Sequence, residues 1–392
     1  MNIAQYLNPI NPDLLGYRAS EYTETMGNII EAHLSASVLP EIPKGGLVLV
    51  GVEEDRGVEN NAGCANAPNE IRRYFYNLAV PTDDIRIADL GNIILGQTPE
   101  DTYFALSIVL SEIVANGSTL IVLGGSQDLT LALYKGYANL NRIINITTID
   151  PRFDLEKNDI ATSRTWIRDI IMHTPNYLFF LSNVGYQNYF VGEKYIKLMD
   201  ELKFDVCRLG EAQKYLDRAE ALIRNADIVS VDIASVRQSD APGNGNPSPH
   251  GFYGEEMCQL MRFAGMSDKT SCLGMFEINP LFDNNGQTAH MAAQAIWHFI
   301  EGFCYRKHDH PQTNPENCKH YIVKLEDPNL DIEFFKGKLS DRWWIKVPCN
   351  DEEKREIYSH HLMLPCTYSD YQMAANGEIP QLWWSYYQRL NS

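Results

Sequence analysis

Positive charge is scarce in this sequence. Its 392 residues carry 33 Lys and Arg against 51 Asp and Glu, a formal net charge of -18 at pH 7. A chain this acidic has no general attraction for a nucleic-acid backbone or an anionic membrane surface, so neither is expected as a partner. Long apolar runs are missing too, and no stretch reaches membrane-spanning length. The opening residues, MNIAQYLNPINPD, have no basic n-region and no apolar h-region, so no secretory signal is expected. The eight cysteines are scattered without a CxxC pair, which fits a reducing cytoplasm better than a disulfide framework. There is no GxGxxG after the first apolar run and no GxxxxGKS or GxxxxGKT, which leaves dinucleotide and P-loop readings without support. Internal repeats and low-complexity segments are also lacking.

What is present is a rhythm. Eight short apolar runs follow one another: LVLVGV (47–52), DIRIADLG (84–91), TLIVLGG (119–125), IINITTID (143–150), NYLFFLSNVG (176–185), FDVCRLG (204–210), ADIVSVDIA (226–234) and SCLGMFEINP (271–280). Segments such as TPEDTYFALSIVLSEIVANG lie between them, with Thr98 expected as a helix N-cap and Gly117 as its stop. This β-α alternation predicts a mainly parallel sheet of eight strands covered by helices on both faces. In such sheets ligands bind outside the carboxyl ends of the strands, so polar residues there are the ones to read.

The rhythm breaks near residue 305. YRKHDHPQTNPENCKH is polar and loop-like, and the remainder is rich in aromatic residues. The expected division is an α/β domain with an N-terminal arm over 1–304 and a small aromatic-rich C-terminal extension over 305–392. Of the pairs Trp343–Trp344 and Trp383–Trp384, strand alternation would bury one member each and leave the other for a partner surface. Cys304, His308, His310, Cys318 and His320 fit no standard zinc spacing and read as solvated loop residues.

The carboxyl end of the fourth run, ITTIDPRFDL, carries two carboxylates, Asp150 and Asp154, with Arg152 between them. Carboxylates at such a position hold a metal or move protons. An arginine cannot ligate a metal, but it can balance charge through bidentate hydrogen bonds. Three other ends carry polar residues: GGSQDLT after the third run, SVDIASVRQSDAPGNGNPSPHG after the seventh and FEINPLFDNNGQTA after the eighth.

In this order and spacing, together with GVEEDRGVENNAGCANAPNEIRRYFYNL, these segments resemble the ureohydrolase superfamily of arginase, agmatinase and formimidoylglutamase, formimidoylglutamase above all. The resemblance covers roughly residues 45 to 304. It implies a three-layer arginase-like α/β fold. It also implies the family's chemistry, in which two manganese ions share a hydroxide that attacks a guanidinium or amidine carbon. The six family ligands lie in the motifs GGDHS, DAHxD and SxDxD. Carried over position by position, three are kept here, as Asp150, Asp154 and Asp232. The others are replaced by Gln127, Arg152 and Ala234. One ion site thus keeps three carboxylates, with the Gln127 amide oxygen as a further donor. The other loses both of its private ligands, and Arg152 is expected to stand in for that ion as the partner of an ion pair. Glu277 matches the family's substrate-orienting glutamate and is the one catalytic candidate. Ser163 and Arg164, after the fourth strand, are candidate ligand contacts. Cys64 lies in a family loop with no histidine placed to activate it.

The expected cofactor is none, or at most one hard divalent cation (Mg, Ca or Mn), and not two Mn. The leading expectation is a non-hydrolytic or strongly impaired homologue that binds a small amidino or amino-acid ligand or acts in assembly. One alternative is an active C–N hydrolase of linear amidines working with a single oxygen-ligated metal. The other is an interaction protein acting through its C-terminal aromatic module on a protein partner. A cytoplasmic homo-oligomer is expected, as is common in the family.

Overall fold

The computed structural model of the chain describes residues 2–15, 24–82, 84–157, 162–326 and 330–391. All eight expected strands form. They are β3 (Leu47–Gly51), β4 (Ile87–Ile93), β5 (Thr119–Leu123), β6 (Ile144–Ile149), β7 (Leu178–Tyr186), β8 (Asp205–Arg208), β9 (Ile228–Asp232) and β10 (Cys272–Phe276). Two short strands precede them. β1 (Leu7–Asn8) and β2 (Glu31–Ala32) both pair with β4, β1 in the antiparallel sense. The eight run parallel in the order β4-β3-β5-β10-β9-β6-β7-β8.

Strand alternation divides the core into two layers. Val48, Val50, Leu120 and Val122 pack to one side with Leu106 and Val109 of the helix Pro99–Ala115. Leu47, Leu49, Ile121 and Leu123 pack to the other side, with Phe75, Leu260 and Phe299 of the helices Ala67–Phe75, Gly254–Gly265 and Gln287–Cys304. The result is the expected three-layer α/β arrangement, one sheet between two layers of helices. The expected helix limits hold. Thr98 Oγ1 accepts from the Asp101 N–H at 3.2 Å in a capping box, and Gly117 follows the helix with a left-handed φ of 79°.

Beyond Cys304 the chain builds a second sheet, antiparallel, in the order β11 (Cys318–Leu325), β12 (Leu330–Gly337), β13 (Trp343–Lys346) and β14 (Met363–Cys366). Trp343 and Trp344 are both buried, against the expectation of one inside and one out. The reason is that both faces of β13 are covered. Trp343 stacks on Tyr371 at 4.9 Å, and the Arg224 guanidinium lies 4.7 Å over the ring of Trp344. Trp383 is buried and donates to the Lys346 carbonyl at 2.9 Å, while Trp384 stays exposed. No helix among the described residues is long and apolar enough to cross a membrane.

The terminal helix, Gln381–Asn391, is tied to the main sheet by Tyr386. Its buried hydroxyl accepts from Asn225 Nδ2 at 2.7 Å and Asn145 Nδ2 at 3.1 Å. Tyr386→Phe keeps the ring and strands the Asn225 amide donor, so it should lower stability by about 1–3 kcal/mol. A urea titration checks this, and a midpoint equal to that of the parent would show that the tie contributes nothing.

Candidate functional site

The order β5-β10-β9-β6 sets the four informative strand ends side by side. Ile149 is level with Val231, and Asp232 with Phe276, so Asp150, Asp232 and Glu277 emerge at one edge. Gln127 reaches the same edge from β5. The chain turns sharply there. Glu277 has φ 65° and donates its N–H to the Gly125 carbonyl at 2.9 Å. Gly125 itself has φ 77°, and a Cβ on it would sit 2.8 Å from the carbonyl oxygens of Val52 and Glu54. No larger residue fits that turn.

The carboxyl groups are buried. Burial raises Asp150 well above the usual carboxylate range, and Asp154 and Asp232 add to the effect. Its Oδ1 accepts from the Arg152 N–H at 2.7 Å, and its Oδ2 accepts from no other residue's donor. Burial also raises Asp154, whose Oδ2 accepts from Trp166 Nε1 at 3.0 Å. Asp154 has a left-handed φ of 44°. Asp232 is pushed up to about 6 by burial, while its Oδ1 accepts from the Ala234 N–H at 2.7 Å. Glu277 is pushed up to about 8, by burial and then by Asp232. Its oxygens accept from Asn61 Nδ2 at 2.7 Å and from the Gln127 N–H at 3.0 Å. Gln127 Oε1 is buried without a hydrogen-bond partner; Asp150 Oδ2 and Asp154 Oδ1 receive no donor from any other residue, and a proton on Asp150 links the two carboxyl groups in a shared hydrogen bond. Ala234 is buried and offers only its methyl group.

The cation beside these groups is Arg164, one of the two candidate ligand contacts. Its Nη1 lies 3.8 Å from Asp154 Oδ1. Burial works against its charge, but Asp154, then Asp232, Asp150 and Glu277, outweigh this and raise its pKa. Ser163 is held by its N–H to the Gly57 carbonyl at 3.0 Å. Arg152 does not make the expected ion pair. Among the described residues no carboxylate lies within ion-pair distance of it, and its Nη1 has no hydrogen-bond partner. Its guanidinium instead lies 4.1 Å over the ring of Phe190. Burial, then the like charge of Arg164, lower its pKa, against the pull of Asp150, Asp232 and Asp154, which still feel its charge although none lies within ion-pair distance. Among the described residues no group of three or more His, Cys, Asp or Glu side chains is arranged to hold a metal ion.

The Arginase family model matches residues 46–301. The chain belongs to the arginase family. Among its relatives is a formimidoylglutamase of Staphylococcus haemolyticus (strain JCSC1435), 25% identical over 273 residues, covering 66% of this chain and 86% of that protein. Another, from Lysinibacillus sphaericus (strain C3-41), is 27% identical over 271 residues, covering 65% and 84%. In structure the chain resembles Trypanosoma cruzi formiminoglutamase with Mn2+2, with TM-score 0.64 at 19% identity over 72% of this chain and 99% of that one. It also resembles the formimidoylglutamase of Bacillus subtilis, with TM-score 0.65 at 16% identity over 74% and 95%. Within the superfamily the chain is close to formimidoylglutamase.

Several residues of this arginase-family site carry no mark in a strand-end reading. Asn61 donates to the Glu277 side chain and, at 2.8 Å, to its carbonyl. Asn244 donates to the same carbonyl at 2.8 Å, and Asn279 braces Asn61 at 3.0 Å. Asp128, pushed up to about 6 by burial, accepts from the Tyr103 hydroxyl. Asn61 stands in the family-like first loop, but its partner is 216 positions away, and spacing alone does not pair them. The two arginines should separate on mutation. Arg164→Ala leaves buried carboxylates without their counter-ion and should cost about 3–5 kcal/mol. Arg152→Ala removes a stacking contact and should cost about 0.5–2 kcal/mol. Paired urea titrations decide, and equal losses would refute the assignment of Arg164 as counter-ion.

Proposed function

We propose that this formimidoylglutamase-like arginase-family protein does not assemble a dimanganese centre, and that it binds a small amidino or amino-acid ligand without the family's rate of hydrolysis. The observation that carries this reading is the donor set at the strand ends. At two ligand positions stand Ala234, which has no donor atom, and Arg152, which is a cation, and the Arg164 guanidinium lies 3.8 Å from Asp154. Two dications do not fit among these groups. In the family the second ion is needed for the bridging hydroxide, since the acidity of the attacking water depends on metal charge.

What the chain's own residues do is hold and orient. Glu277, fixed by Asn61 and the Gln127 N–H, presents a carboxyl group at the β10 end for an amidino or amino group. Trp166 and Arg164 fix Asp154. A second reading, an amidine C–N hydrolase with one hard divalent ion, draws support from Gln127 Oε1, buried without a hydrogen-bond partner, and from the adjacent Asp150 and Asp154 carboxyl oxygens, which receive no donor from any other residue. Those oxygens and Asp232 are not arranged as a ready metal site, so such an ion would have to draw them together; when bound it would supply Lewis-acid polarisation. The division at residue 305, a cytoplasmic location, homo-oligomerisation and a protein partner on the extension complete the proposal.

Elemental analysis of protein purified without chelators, combined with formimidoylglutamate turnover in excess Mn2+, tests the reading. The expected outcome is fewer than two Mn per chain and no family-like turnover, and two Mn with turnover would refute it. The triple variant Gln127→His, Arg152→His, Ala234→Asp restores the six family ligands. Excess Mn2+ should then stabilise it by about 3 kcal/mol at roughly a hundredfold Kd, while leaving the parent protein's thermal midpoint unmoved.

A further inference from the structure

A cavity of about 410 Å3 opens at the carboxyl ends of β7 and β8, beside the carboxylate cluster. One loop serves both. The Gln187 N–H donates to the Pro151 carbonyl at 3.0 Å, next to Asp150, and Phe190 carries the Arg152 guanidinium. Gln187 also lines the cavity, and its Nε2 donates to the His250 carbonyl at 3.1 Å.

The charge of this lining runs against that of the chain. In a protein of net charge -18, the cavity is lined by Arg208, Arg237 and His250 and by no Asp or Glu. The two arginines differ. Arg237 is paired with Asp240 at 2.9 Å and lies 3.8 Å over the ring of Tyr253, so its charge is balanced and its plane forms a wall. Arg208 is exposed on the cavity wall, and its guanidinium makes no hydrogen bond or ion pair among the described residues. Tyr186 and Tyr189 add aromatic surface. A cationic ligand would find no counter-charge on these walls. An acid would find an unpaired guanidinium with donors in a fork that matches a carboxylate. The volume lies at the small-molecule end of the range for ligand sites.

We propose that this cavity binds a small organic acid, with Arg208 as its charged contact and the tyrosines as apolar walls. The proposal deepens the functional reading above and rests on it for the ligand's fate, which is to be bound and not hydrolysed.

The test is isothermal titration of the full chain with glutarate, and with putrescine as a probe of similar length and opposite charge. Glutarate should bind and putrescine should not. Arg208→Ala should weaken glutarate by about tenfold or more, and Arg208→Glu should abolish its binding. Arg208 is exposed, so both variants should fold, which circular dichroism checks. Failure of glutarate to bind the parent protein would overturn the proposal. So would unchanged affinity in folded Arg208→Glu, or putrescine binding as tightly as glutarate. The two readings fail separately. Mn-dependent turnover with glutarate still held through Arg208 would remove the non-hydrolytic reading and leave the cavity assignment. Absent turnover with no glutarate binding would do the reverse.

Discussion

Buried negative charge at adjoining strand ends is the constraint on which the rest of this molecule depends. The sheet order leaves no choice about it. β5, β10, β9 and β6 are neighbours, so carboxyl groups far apart in sequence are brought to one edge and covered. Two means of relief are visible. One is a cation, Arg164, 3.8 Å from Asp154, a separation at which unit charges interact by about 4 kcal/mol near a protein surface. The other is the proton, since burial and mutual repulsion raise Asp150, Asp232 and Glu277 toward their neutral forms. An arginase-family site meets the same repulsion with metal ions. A chain that supplies its own guanidinium has less to gain from them.

The surroundings of Glu277 show that this edge is built for rigidity and not merely tolerated. Its left-handed backbone is pinned at both ends, by the Gly125 carbonyl on its N–H and by Asn61 and Asn244 on its own carbonyl. Asn279 then ties Asn61 to the loop after β10. A residue held in an unfavourable conformation by so many partners marks a functional position more surely than its burial does. The asparagines neutralise no charge, so their service is to orientation.

The strands were legible in the sequence because a strand buried on both faces reads as an apolar or β-branched run: β3, β5 and β10 are nearly continuous apolar runs, and β6 and β9 set Ile and Val around buried Asn, Thr and Ser. Asp150, Asp154, Asp232 and Glu277 were legible as the polar residues that close such runs. The identity of the counter-ion was not. Arg152 stands between two carboxylates in sequence, and proximity favours it. Its guanidinium instead lies over Phe190, thirty-eight positions on, while Arg164 takes the place nearest the carboxylates. Trp344 escaped the alternation rule for a similar reason. The element that covers its face ends in Arg224, from another part of the chain. Period and punctuation are local, whereas these outcomes depend on contacts between distant segments.

The position of the terminal helix bears on what the C-terminal residues can do for the site. Tyr386 grips Asn145, near the start of β6, while Asp150 follows the other end of that strand. Arg389 of the same helix donates to the Leu202 carbonyl at 2.7 Å, next to the edge strand β8. The extension therefore braces the amino end of the sheet and its open edge. The cluster and the cavity beside it lie at the carboxyl ends. A six-residue strand spans about 20 Å, so the extension acts on the site from a distance, through the elements it braces: β6 through Tyr386, β7 through Arg389, which donates to the Phe179 carbonyl, and the helix Leu216–Arg224 through Arg224. Removing the extension would then act first on stability and on exposure of the β8 edge. Any effect on ligand binding would follow from loosening of these braced elements.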